Sequence, residues 1–267
     1  MSHFFSRITL AREGLDPQTL SRVLAEDGYQ YHALVWRLFP GDGEARSFVF
    51  RVDQARGTGG WPSFLVVSRR PPTPVPGLLR VESVRPFAPQ LAEGEQVQFC
   101  LRANPTAASV VELDAEALAR FNAERAAQRG LPPKTHHERR RFHDVIMAAK
   151  KRVGHPLPKD ASPTARETLA QAADQAAQAW LLAHASAWGL EILHREDFAT
   201  GALEPALEWS AYTQHRLHNK GRALSFSSLE YQGLARVSDP ARLVTALTEG
   251  VGRAKAFGCG LLLVRRV

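Results

Sequence analysis

Gly28-Tyr-Gln-Tyr-His-Ala-Leu-Val-Trp-Arg-Leu-Phe-Pro40 reads as the second half of an amphipathic helix. Tyr31, Leu34, Val35 and Leu38 continue an apolar series begun by Leu20, Val23 and Leu24, at spacings that fit one buried face. Asp16 can cap this helix with Pro17 in its first position, Gly28 weakens its middle, and Pro40-Gly41 stops it. Before it, Ile8 and Leu10 alternate with Arg7 and Thr9, the period of a half-buried strand. After it, Phe48, Phe50 and Val52 alternate with Val49 and Arg51, and Ser63 to Val67 forms a further β-rich run. Strand, helix, strand, strand, with more β structure at Leu79–Val84 beyond a proline-rich loop, suits a ferredoxin-like α+β unit.

The second half repeats that order less clearly. Glu116–Arg129 and Arg139–Val153 are expected to be helical, 156–163 to be a linker, and Arg166–Trp188 to be an alanine-rich helix ended by Gly189. Leu190–His194 and Arg222–Val237 read as strands, Asp239-Pro240 opens a helix through Leu247, and Leu261–Arg265 closes the chain as a strand. A second ferredoxin-like unit needs one more strand in front, which Gln96–Leu101 can supply. The expectation is α+β architecture with two tandem ferredoxin-like (βαββαβ) domains and a helical, basic insertion. The break is placed at 1–105 and 106–267.

Composition narrows the partners. Among 267 residues, 34 Lys/Arg against 27 Asp/Glu give a net charge of +7, which favours a polyanion, since bound phosphates release their counterions when a protein neutralises them. Two cysteines, Cys100 and Cys259, offer no Cys-x-x-Cys clip and read as reduced residues of a cytoplasmic protein. The N-terminal residues lack a signal-peptide core, and the apolar run Leu261–Val264 is far too short to span a bilayer, so no membrane association is expected.

Tyr29 and His32 fall at i and i+3, on one helical face. Histidine can serve as acid or base near neutral pH, and a tyrosine hydroxyl can donate a hydrogen bond or position a nucleophile. The bland alternative is a satisfied, half-buried histidine beside an amphipathic tyrosine. Gly250-Val-Gly-Arg-Ala-Lys-Ala-Phe-Gly-Cys-Gly260 is neither a dinucleotide fingerprint nor a P-loop: it follows a helix, precedes a strand and lacks the Gly-Lys-Ser/Thr ending. It reads as a turn whose backbone amides can approach an anion, with Arg253 and Lys255 adding charge; a tight structural connection is the alternative. Gln214–Arg222 contains Asn-Lys-Gly ahead of a strand, the pattern of a basic hairpin tip. Lys134–His155 carries seven Lys/Arg against two acidic residues and reads as a solvated helical face or an RNA contact. Zinc binding by His136, His137 and His143 is disfavoured by their spacing and by the lack of a nearby cysteine. No metal site and no cofactor are assigned.

Three segments in order resemble the CasE family of CRISPR-associated endoribonucleases: Tyr29-Gln-Tyr-His32 running into Trp36-Arg-Leu-Phe-Pro40, then Leu101-Arg-Ala-Asn-Pro105, then Gly250–Leu262. The resemblance implies two ferredoxin-like domains and metal-independent cleavage of precursor CRISPR RNA beside the repeat stem-loop. The expected chemistry is attack by the 2′-hydroxyl, leaving a 2′,3′-cyclic phosphate and a 5′-hydroxyl. It implies that the mature CRISPR RNA stays bound, with the protein a subunit of the Cascade complex. By the same resemblance His32 matches the general acid/base and Tyr29 its companion. Arg253, Lys255, Gly250, Gly252, Gly258 and Gly260 lie in the glycine-rich loop, and Arg216, Lys220 and Arg222 fall where an RNA-gripping hairpin is expected. The competing readings are a stem-loop RNA-binding subunit that does not cleave and, more remotely, a double-stranded DNA binder. The basic region from about 110 to 177 departs from the family pattern and carries no assigned site.

Overall fold

The computed structural model describes residues 2–11, 28–41, 46–53, 62–129, 132–133, 138–197, 200–219 and 222–267, without the side chains of 28–30, 111, 128–129, 138–140, 218–219 and 222–223. The proposed N-cap Asp16 and the first half of its helix, with Leu20, Val23 and Leu24, lie outside the described residues. Two compact units emerge: Met1–Pro105 together with Asp174–Val267, and Thr106–Ala173.

The larger unit holds two main antiparallel sheets and one two-stranded sheet. In the first, β1 (His3–Leu10), β2 (Phe48–Asp53), β3 (Ser63–Ser68) and β4 (Leu79–Phe87) lie in the order β2-β3-β1-β4, with helix α1 (Gly28–Trp36) following β1. This is the strand order of a ferredoxin-like sheet, with a proline-rich loop in place of the second helix. Alternation along β2 and β3 gives the sheet two apolar faces. Phe48, Phe50, Val52, Phe64 and Val66 join Ile8 and Leu79 in a core with Tyr31, Leu34, Val35, Leu38 and Phe39, which is why α1 lies on that face. Val49 and Val67, one residue out of phase, pack on the other face with Leu261, and with Phe5, Leu65, Phe87 and Leu263 around them.

The second sheet has the same logic. Strand β5 (Gln96–Ala103) sits between β12 (Arg222–Val237) and β13 (Leu262–Arg266), β11 (Leu207–Asn219) flanks β12, and the order is β11-β12-β5-β13. Short β8 (Leu190–Ile192) also pairs with β12, and β9 (His194–Glu196) with β10 (Leu203–Pro205). Taken as β5, α4 (Pro163–Ala185), β11, β12, α5 (Pro240–Glu249) and β13, the elements run βαββαβ. Gln96–Leu101 pairs in the second sheet, so the first sheet ends before it. Gly189, at φ 77°, ends the helical segment; a Cβ there would meet the Asp239 carbonyl oxygen at 2.2 Å. Asp239 caps α5 by accepting from the Arg242 amide at 3.0 Å. The Tyr231 hydroxyl, fully buried, donates to the Ala177 carbonyl at 2.8 Å and ties β12 to α4.

In the smaller unit one expectation fails. Arg139–Val153 is not one helix: β7 (Glu138–Asp144) pairs with β6 (Thr106–Glu112), and α3 begins only at Val145 and ends at Arg152. The divide is set by Asp144, whose carboxylate accepts from the Ile146 and Met147 amides at 2.8 and 3.0 Å and so starts the helix there. Helix α2 (Ala115–Arg129) connects the two strands. The basic insertion therefore combines a two-stranded ribbon with helices. Strands β6 and β11 escaped the sequence reading because neither shows clean apolar alternation. Cys100 and Cys259 are free thiols, and burial pushes the Cys259 thiol up to about 12. No helix among the described residues is long and apolar enough to cross a membrane.

Leu101 is wholly buried in central strand β5. Leu101→Ala is expected to lower the stability of the larger unit by about 2–5 kcal/mol, since the strands around the cavity cannot collapse freely. Denaturant unfolding measures it; a loss under about 1 kcal/mol would show that β5 is not held at the centre of a packed sheet.

Candidate active site

Strand β2 is the edge of the first sheet, and two elements cover it. Helix α1 packs on its apolar face, which brings the His32 ring to 6.0 Å from Phe48 and 6.5 Å from Phe50. The glycine turn covers its end: Gly258 is so placed that a Cβ would touch Phe50 Cε2 at 3.6 Å and Val52 Cγ2 at 3.5 Å. The turn's 3-10 segment, Lys255–Phe257, is in contact with both α1 and β2. The histidine helix and the glycine turn, more than 200 residues apart in sequence, thus share one strand as their floor.

His32 is half-buried, and its Nε2 is shut from solvent and has no hydrogen-bond partner among the described residues. A buried polar nitrogen left unpaired costs free energy and calls for a reason. Burial, together with the positive charge of Arg46, pushes the imidazole below its usual value, so the neutral form dominates at pH 7. Arg46 was not foreseen. Its place, two residues before Phe48 on the strand alternation that faces α1, was the available signal. It also depresses the half-buried Lys255 ammonium, second to burial itself, while Glu249 acts the other way. Arg46 thus acts on the charge of both His32 and Lys255, which are grouped around it.

The glycine turn is built to close tightly. Gly250, Gly252, Gly258 and Gly260 all have positive φ, and Ala254 joins them at 57°. Gly250 and Gly260 are structural: a Cβ on Gly250 would meet Val49 Cγ2 at 2.8 Å, and one on Gly260 the Val251 carbonyl oxygen at 2.3 Å. A Cβ on Gly252 would enter open space. The amides of Gly250, Val251, Phe257, Cys259 and Gly260 already donate to backbone carbonyls, so part of the expected anion cradle is spent on the turn itself. Lys255 Nζ donates to the Glu249 and Gly250 carbonyls at 2.9 and 2.7 Å, capping α5. Arg253 is exposed on the turn.

The hairpin reaches the same place through a stack of rings. His215 on β11 faces Phe226 on β12, their centroids 4.4 Å apart, and Phe226 stacks on Phe257 of the turn at 4.8 Å. His215 Nε2 lies 2.8 Å from the buried Ser228 hydroxyl. Asn219 pairs with Arg222 at the end of the β11–β12 ladder. Arg216 is exposed on β11. The backbones of Tyr29 and Arg222 lie in α1 and β12, but their side chains, and the whole of Lys220, lie outside the described residues, as do His136 and His137. Among the described residues, no three His, Cys, Asp or Glu side chains gather as metal ligands.

A second tie fixes the floor strand. Arg51 of β2 pairs with Glu230 at 2.9 Å and donates to Cys100 Sγ at 3.1 Å, and Arg102 pairs with the same carboxylate at 3.2 Å. Strand β2 therefore carries the site on one face and holds the second sheet with the other.

Comparison with known proteins agrees with this architecture. The sequence model of the family described as CRISPR associated protein matches residues 3–266, and the chain belongs to that family. The resemblance to the CasE family is thereby borne out. Solved structures similar to the chain include the CRISPR endoribonuclease Cse3 bound to a 19-nucleotide RNA, 22% identical, covering 99% of both chains with a TM-score of 0.59. Cas6e from Escherichia coli K-12 is 22% identical, with 99% and 100% coverage and a TM-score of 0.56. Thermus thermophilus Cse3, bound to an RNA representing a pre-cleavage complex, is 20% identical, with 99% and 100% coverage and a TM-score of 0.60. A chain of a CRISPR RNA-guided surveillance complex, 19% identical over 99% of this chain and all of its own, aligns with a TM-score of 0.54. These likenesses show the fold. No curated protein matches the chain by sequence.

Because Arg46 favours the neutral imidazole, removing its charge must move the His32 titration upward. In ring NMR of the free protein, His32 is expected to titrate below 6.5, and R46Q to shift that midpoint toward 6.5. An unchanged midpoint would remove Arg46 from the site.

Proposed function

We propose that this protein is an endoribonuclease that processes precursor CRISPR RNA beside the repeat stem-loop and remains with its product in a Cascade complex. The observation that carries the reading is the half-buried His32 ring, packed over β2 with Arg46 and the glycine turn beside the same strand. Support also comes from the fold, shared with endoribonucleases bound to RNA and with a subunit of an RNA-guided surveillance complex.

Cleavage by the neighbouring 2′-hydroxyl needs a base for that hydroxyl, an acid for the departing 5′-oxygen and positive charge for the phosphorane. The neutral imidazole of His32 takes the 2′-hydroxyl proton as the 2′-oxygen attacks phosphorus. The P–O5′ bond breaks, and the His32 imidazolium gives that proton to the departing 5′-oxygen, while the Tyr29 hydroxyl donates a hydrogen bond beside it. A 2′,3′-cyclic phosphate and a 5′-hydroxyl result. No metal takes part in this scheme. Arg46 and Lys255 stabilise the charge that gathers on the phosphoryl oxygens; Arg253 and the hairpin residues Arg216, Lys220 and Arg222 hold the flanking backbone and stem. The seven basic residues in excess make such an RNA a fitting partner.

The test uses the purified protein and its own repeat RNA in chelator. The expected outcome is cutting at one site with the two end groups named above, and a loss of roughly 10² in rate for His32→Ala while stem-loop binding persists. A 2′-deoxy sugar at the cut nucleotide should stop the reaction and spare binding. Cleavage that depends strictly on added divalent metal, or a His32→Ala protein that cuts normally, contradicts the mechanism; tight binding without cutting favours the stem-loop-binding subunit instead.

A further inference from the structure

Trp36 lies one helical turn beyond His32 on α1, and the two rings stand 5.6 Å apart. The buried stripe of the helix is complete without it: Tyr31, Leu34, Val35 and Leu38 fill the core, whereas Trp36 sits on the flank and keeps 37% of its surface exposed. Among the described phenylalanines and tryptophans, Trp36 and Phe142 alone are exposed, and Phe142 belongs to the smaller unit. An exposed tryptophan is informative because leaving so large an apolar surface in water forfeits stabilisation that a buried position would give. The indole is nevertheless well fixed. Phe48 meets it in a T-shaped contact at 5.5 Å and 64°, and His32 meets it at 58°. Both neighbouring rings approach obliquely, so neither lies flat on the indole. A planar group can.

The occupant follows from the surroundings. Its contacts with His32 and Phe48 place the indole beside His32, on whose charge Arg46 acts, and the turn that carries Lys255 contacts the same helix, so a phosphate is the favoured guest. A nucleotide whose phosphate rests there brings a base within a few ångströms of it, and every base has a π-face that an aromatic side chain can carry without regard to sequence. We propose that Trp36 is the stacking platform for the unpaired RNA base adjoining the phosphate held beside His32. The proposal rests on the reading of the site as an RNA site, and gives it a means of orienting the nucleotide: with the base fixed on the indole and the phosphate on the cations, the sugar between them has little freedom, which is what in-line attack by a 2′-hydroxyl demands.

The experiment uses repeat stem-loop RNA with 2-aminopurine placed in turn at each unpaired nucleotide next to the stem, and 2′-deoxy sugars there so that it is not cut. The full-length protein, W36F, W36L and W36A are titrated against each RNA. At one position 2-aminopurine should be quenched by the parent protein and by W36F, whereas W36L and W36A should lose the quenching and about 5- to 150-fold in affinity. W36L keeps apolar volume but has no π-face, so it separates stacking from packing. An abasic nucleotide at that position should cost the parent protein the same factor and cost W36A nothing more. Equal quenching by all four proteins, or W36L matching W36F, overturns the platform. Since this RNA is never cut, the outcomes separate: quenching lost in W36A by a protein that fails to cut natural RNA sinks the nuclease reading alone. Normal quenching by W36A in a protein that does cut sinks the platform alone.

Discussion

The arrangement depends on the two-faced alternation of β2. Phe48, Phe50 and Val52 point toward α1, while Val49 and Arg51 point toward the second half of the chain. Because the period of a strand is two, a slip of one residue would exchange these faces, putting Arg51 into an aromatic core and separating His32 from its floor. The partly buried Arg51–Glu230–Arg102 group opposes such a slip, since a displaced register would leave Glu230 without one of its two partners. An edge strand is normally exposed to unwanted pairing. Here the glycine turn and α1 cover it, and the cover is the candidate site.

The electrostatics are those of a place that waits for an anion. Burial first, and then the charge of Arg46, push His32 and Lys255 toward their neutral forms, an unfavourable arrangement in the free protein that a bound phosphate would relieve. Nearby, Arg69 donates to Glu249 and holds its carboxyl below the usual range, with His3 adding to the same effect. That carboxylate fastens the end of α5 to the first sheet. Lys255 closes the same helix end through two carbonyls, so a cation of the proposed phosphate site is also a structural cap. A substitution there disturbs both roles, which makes Arg46 the cleaner probe of charge.

Much of this was legible in the sequence where periodicity is strong. The alternation of β2 and β3 and the apolar stripe of α1 gave the first sheet, and the Asp239-Pro240 start and the positive-φ glycines of 250–260 gave the closing segment. The ribbon of β6 and β7 was not legible, because Arg139–His143 has no apolar alternation and its strand character comes from its partner. The same holds for β11, whose polar residues are fixed by β12. At the site, His32 and the glycine turn announced themselves by residue type. Arg46, Trp36 and the His215–Phe226–Phe257 stack did not, since what matters in each is a neighbour distant in the chain.

In the proposed function a phosphate of the RNA sits among His32, Arg46 and Lys255. The most direct test is the ring titration of His32 by NMR in the complex with uncleavable 2′-deoxy stem-loop RNA, set against the free protein. A phosphate there favours the imidazolium, so the midpoint should rise on binding. A midpoint that stays where it was, or falls, would mean that RNA binds elsewhere and that His32 is a core histidine.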